Sequence, residues 1–235
     1  MEQYEVTYGS ATIHFSLKRS DRTTMAITVQ PDTTVEVTAP EKAEIFKVKE
    51  KVEKRARWIR KQQRYFESFL PATPKREYVS GETHLYLGKQ YRLKVTRSKN
   101  TSVKLIGGRI IVKTIDPKDR NRIKQLMAAW YKNHAEKRFE RGLNQALSLF
   151  LKYDIGSPPL VIQRMAKRWG SCTPKGKIIL NPEIIKAPSR CIDYVVIHEL
   201  CHLVHHHHGK QFYELQTKVM PDWKRWKDKL ERIMI

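Results

Sequence analysis

Acidic residues are scarce in this sequence: 24 Asp and Glu stand against 46 Lys and Arg, a formal charge of +22 over 235 residues. Cysteine is scarcer still. Cys172, Cys191 and Cys201 are odd in number and scattered, which disfavours a disulfide framework and points to a reducing, cytoplasmic setting. No apolar run approaches the ~18 residues of a membrane span; Tyr194-Val195-Val196-Ile197 is typical of the longest. The acidic start Met1-Glu2-Gln3-Tyr4-Glu5 leads into no apolar stretch, so no signal peptide is expected. There is no internal sequence repeat and no low-complexity tract besides one histidine run. The remaining composition, 40% hydrophobic and 30% charged, is that of a globular chain able to bury a proper core.

A charge of +22 exceeds what solubility requires and predicts attraction to polyanions: nucleic acid, nucleotides or acidic membrane. One stretch stands out: Lys42 to Arg64 holds ten Lys and Arg against three Glu. Trp58, Tyr65 and Phe66 interleave with those cations, as on a surface that tracks a nucleic-acid strand. Trp58 and Phe66 fit equally well as core anchors of one helix face.

Alternation of apolar and polar residues marks strands over 4–38, in Tyr4/Val6/Tyr8, Ile13/Phe15/Leu17, Met25/Ile27/Val29 and Val35/Val37. Turns at Gly9-Ser10, Ser20-Asp21-Arg22 and Pro31-Asp32 suggest an antiparallel meander. Helical spacing of Ile45, Val48, Val52, Ala56, Ile59 and Phe66 then predicts one long basic helix over about 41–70, ended by Pro71. Strands return over 82–114, with turns at Gly88-Lys89 and Gly107-Gly108. A long helix is expected from Asp116-Pro117 on the stripe Ile123 to Phe150. The reading is α+β: a β-rich N-terminal region, 1–116, of antiparallel sheets with helices, and a mainly helical region, 117–235. Within the second region, Leu160–Arg164 and Ile178–Leu180 read as strands, with the stretch Arg168–Cys172 and a turn at Pro174-Lys175-Gly176 between them, a hairpin laid beside a helix opened by Pro188-Ser189.

That helix carries His198-Glu199-Leu200-Cys201-His202. Positions i and i+4 share one side of a helix, so both imidazoles can hold one ion. Glu199 then lies beside the ion, placed to take a proton from metal-bound water. A catalytic zinc needs a third protein ligand, and His205, His206, His207 and His208 are all available. If the helix ends and the chain folds back, His208, just before Gly209, suits best. Cys201 points partly away and is expected to be a small buried residue. Arg168, Trp169, Ser171 and Cys172 are candidates to line the cleft, since zinc hydrolases bind extended substrates along a neighbouring strand.

These residues resemble the YgjP-like metallopeptidase family, which is SprT-like and of zincin type. The resemblance rests on Arg168-Trp169-Gly170-Ser171-Cys172, Ile179-Leu180-Asn181-Pro182, Ile192 through Leu203, and His208 followed by Phe212. Weaker matches are Arg57-Trp58-Ile59-Arg60-Lys61 and the Gly81–Leu93 strand pair. Where the family usually has Asn before the third histidine, this chain has His207. The resemblance implies a zincin-like catalytic domain with Zn2+ on His198, His202 and His208 and Glu199 as base. Its substrate would be a peptide or protein. A nucleotide pyrophosphatase acting through the same metal, and a nucleic-acid-binding protein with a degenerate or regulatory metal site, are the rival readings.

Overall fold

The computed structural model describes residues 2–9, 11–30, 32–67, 76–166 and 168–234. Ser10, Pro31, residues 68–70 and Pro71, used above for turns and a helix end, lie outside the described residues. The chain divides into two compact units, 1–74 and 75–234. The break therefore falls well before 116/117. Leu93, Ile110 and Val112, on strands assigned above to the first region, are buried in the same core as the helices that follow.

The first unit contains β1 (Glu2–Tyr8), β2 (Ala11–Ser20), β3 (Ala26–Val29), β4 (Val35–Pro40), α1 (Ile45–Lys54) and α2 (Ala56–Glu67). Its sheet runs β1-β2-β4-β3, with β2 and β4 parallel, so the expected meander is wrong. Strand β4 buries Val35, Val37 and Ala39, whereas the four-residue β3 buries only Val29. The more apolar strand takes the interior position and the short one the edge, as burial and edge protection require. The predicted single helix is broken at Arg55, whose φ of −99° and ψ of 2° end α1. Buried Val48, Val52, Ala56 and Ile59 keep helical spacing across that break, which is why periodicity alone cannot see it. Phe66 packs on this core, while Trp58 is 39% exposed.

The second unit opens with β5 (Thr83–Tyr86), β6 (Lys89–Arg97), β7 (Ser102–Ile106) and β8 (Arg109–Thr114). They form a sheet of order β5-β6-β8-β7 with β6 and β8 parallel. The connectivity of the first sheet is thus repeated without any repeat in sequence. The β5–β6 turn is made by Leu87 and Gly88, one residue earlier than expected, both with positive φ. Helix α3 (Arg120–Leu147) is capped by Asp119, whose side chain accepts from the Arg122 amide at 2.9 Å. It buries Ile123, Met127, Phe139 and Leu143, and Phe150 follows in a 3-10 segment.

Beyond lie β9 (Leu160–Ile162), β10 (Gly170–Cys172), β11 (Ile178–Leu180), α4 (Ser189–Val204), α5 (Lys210–Val219) and α6 (Trp223–Met234). The stretch Gly170–Cys172 is itself a strand: β10 and β11 form the antiparallel hairpin, and β9 joins β11 on its far side, in parallel. The architecture is α+β. Helix α4 is its centre: Ile192, Val196, Leu200 and Cys201 are fully buried. Arg138 of α3 holds it with a bond of 2.6 Å to Asp193 and one of 3.2 Å to the Ser189 carbonyl. No described helix is long and apolar enough to cross a membrane.

Candidate metal centre

Helix α4 ends at Val204 because His205 leaves helical space at φ −132° and ψ 105°. The chain turns back through His205–Gly209 into α5, and that turn brings His208 over the helix. One side-chain nitrogen from each of His198, His202 and His208 lies within 4.8 Å of the others. The Nε2 atoms of His198 and His208 are 3.1 Å apart. Fully buried Phe212 forms the floor, its ring centroid 5.0, 4.7 and 4.7 Å from the three imidazoles. Tyr213 stacks on His208 from the side, at 6.0 Å.

Gln216 of α5 is a residue of this cluster that pattern reading missed. Fully buried, it accepts a hydrogen bond from His198 Nδ1 at 3.0 Å through Oε1. That bond selects the tautomer in which Nε2 carries the free lone pair. Burial, with His202 nearby, depresses the His198 pKa to about 4, and His202 is lowered too. Both rings are therefore neutral, the form that binds metal. A glutamine 18 positions from its histidine has no local signature; only the packing of α5 on α4 joins them.

Glu199 is 4% exposed and turned toward β10. Burial raises its pKa to about 8, offset in part by Arg168 and by the Cys172 amide, which donates to the carboxylate. The close approach depends on Gly170: a Cβ there would stand 2.5 Å from Glu199 Oε1 and 2.9 Å from Val195 Cγ1. Gly170→Ala is expected to shift the carboxylate or the strand, at about 1–3 kcal/mol of stability. Turnover should fall by roughly tenfold or more, because misplacement by an ångström is costly. Thermal melts and steady-state assays measure both; unchanged turnover would show that the carboxylate position is not critical.

A cavity of about 580 Å³ opens over these groups, lined by Arg168, Ser171, Cys172, His198, Glu199, His202, His206 and His208 among others. Of the residues expected to line the cleft, Arg168, Ser171 and Cys172 do so, whereas Trp169 packs its ring on the core. A large indole next to a fully buried core gains more from the interior than from a wet groove. Buried Asn181 fixes the loop before β10, donating to the Met165 and Arg168 carbonyls at 2.8 and 3.0 Å. Cys201 is fully buried and its thiol pushed up to about 12, so it stays protonated.

Residues 23–233 match the model of the YgjP-like metallopeptidase domain. The chain belongs to the YgjP-like metallopeptidase family. Membership makes it a metal-dependent peptidase, and the three-histidine cluster lies in the matched region. Among solved structures, the chain is similar to the metallopeptidase zymogen abylysin of Pyrococcus abyssi. The two are 27% identical over 41% of this YgjP-like chain and 91% of abylysin, with a TM-score of 0.36. No curated protein matches.

Proposed function

We propose that this YgjP-like protein is a zinc peptidase in which His198, His202 and His208 hold Zn2+ and Glu199 is the general base. The carrying observation is that three imidazoles converge beside one buried carboxylate. Nitrogens around a tetrahedral zinc lie about 3.3 Å apart, given Zn–N bonds of about 2.0–2.1 Å. The 3.1 Å between His198 and His208 fits that requirement. Zinc would supply Lewis-acid polarisation of the scissile carbonyl and acidify the attacking water.

The chain's own residues supply the rest. Glu199 takes the proton from the attacking water on its carboxylate and passes it to the leaving amine, helped by burial that makes the carboxylate a stronger base. Gln216 keeps the His198 ring in register, and Phe212 excludes water from beneath the ligands. Strand β10 is an edge of its three-stranded sheet, so an extended peptide can pair with it and present a carbonyl over the cluster. Arg168 and His206 line the same cavity and are candidate side-chain donors to a developing oxyanion.

Purified protein is expected to cleave extended peptides, to lose that activity on chelation and to regain it with zinc. A panel of peptides and nucleoside triphosphates tests this. Faster hydrolysis of the triphosphates, or full peptidase activity without metal, would overturn the reading.

A further inference from the structure

The basic excess does not reside where the Lys42–Arg64 run suggested. Residues 1–74 hold 13 Lys and Arg against 10 Asp and Glu, whereas 75–234 hold 33 against 14, so the units carry +3 and +19. Between Thr83 and Ile115 there is no acidic residue at all. This stretch is the β5–β8 sheet. Leu93, Ile110 and Val112 point into the core, so alternation turns Arg92, Lys94, Lys104, Arg109 and Lys113 to the other face. All five are exposed. The register places Arg92 beside Arg109, and Ile111 between Lys94 and Lys104. None of the five has an ion-pair partner among the described residues.

The fold itself does not demand this. The first sheet has the same connectivity, and its outer face carries Glu5, Lys18 and Glu36, with Glu5 paired to His14 at 3.2 Å. One sheet is charge-balanced and the other presents five like charges. Gathering unpaired cations on a face costs self-repulsion that a polyanion relieves.

We infer that the outer face of the β5–β8 sheet is a docking surface for the phosphate backbone of double-stranded nucleic acid. The five cations span about 13 Å along the strands and about 10 Å across them. Duplex DNA carries about eight phosphate charges over such a length, more than five cations can neutralise. No aromatic side chain projects from this face, so it offers no base-stacking platform of the kind that single strands use. Membrane-surface binding calls for inserting aromatic or leucine side chains; on this face Leu85 and Ile111 are half-buried, and the exposed large apolar side chain among the cations is Ile106, at 55%. The contacts are to phosphates alone, so binding is independent of sequence.

The test uses the full chain and a labelled duplex of about 24 base pairs, titrated between about 50 and 200 mM salt. Replacing Arg92, Lys94, Lys104, Arg109 and Lys113 together by Gln should weaken binding at least ~100-fold at the lower salt and flatten the log–log slope by about four to five. Neutralising Lys42, Lys51, Arg57, Lys61 and Arg64 instead should cost less than ~10-fold. Single Lys104→Gln and Arg109→Gln variants, each removing about one from the slope, decide the matter if the fivefold variant melts early. Equal losses from both sets, or unchanged slopes in the sheet variants, would overturn the assignment. So would tighter binding to phosphatidylserine vesicles than to the duplex, lost with the same residues. Zinc and peptidase activity are not involved, so failure here leaves the metal-site reading untouched.

Discussion

Glu199→Gln should lower peptide hydrolysis about 10³-fold or more while leaving zinc content and melting temperature unchanged. Glutamine has the same shape and can still accept the bond from the Cys172 amide, so the packing against Gly170 survives. What it cannot do is take a proton. The neutral amide also escapes the burial that raises the carboxyl pKa to about 8, so no loss of stability is expected at neutral pH. Steady-state kinetics, metal analysis and thermal unfolding on one preparation separate chemistry from structure. Wild-type turnover in this variant would refute the proposed base.

Zinc should bind at about one ion per chain and fall to background in a His198→Ala/His202→Ala double variant. His208→Ala should weaken binding far more than His206→Ala or His207→Ala, because His208 alone of the run joins the cluster. His206 lines the cavity without joining it. Gln216→Leu keeps every ligand but releases the His198 ring, and should cost about 10–100-fold in affinity. Competition with a chromophoric chelator gives all these values. Near-stoichiometric zinc in the double variant would remove the site, and an inverted order among the run would move its third ligand.

Much of the centre was legible in the chain. The i, i+4 spacing of His198 and His202 survives any packing because helix geometry enforces it, and Pro188-Ser189 and Gly209 marked the limits of the local elements. His208 was legible for a similar reason: a fourth histidine next to a glycine has the reach that a continued helix lacks. Strand positions were also readable, since Ile13/Phe15/Leu17 and Val35/Val37 alternate with period two. The break at Arg55 was hidden because buried residues on both sides keep helical spacing. The indole of Trp169 was misplaced because adjacency in sequence to Arg168 and Gly170 says nothing about which side of the strand is wet.

Local chemistry thus determined the histidine pair, the glutamate beside it, the α+β composition and the total charge, all of which depend on neighbours a few positions apart. Tertiary structure decided whatever depends on distant segments meeting. It set the parallel pairing in the two four-stranded sheets, where buried β4 and β8 displaced β3 and β7 to the edges. It brought Gln216 to His198, and Gly170 so close to Glu199 that no side chain fits between them. It also sorted the cations. Periodicity counts charges along the chain, but only strand register shows five of them sharing one face with no acid among them, because that arrangement is a property of the sheet.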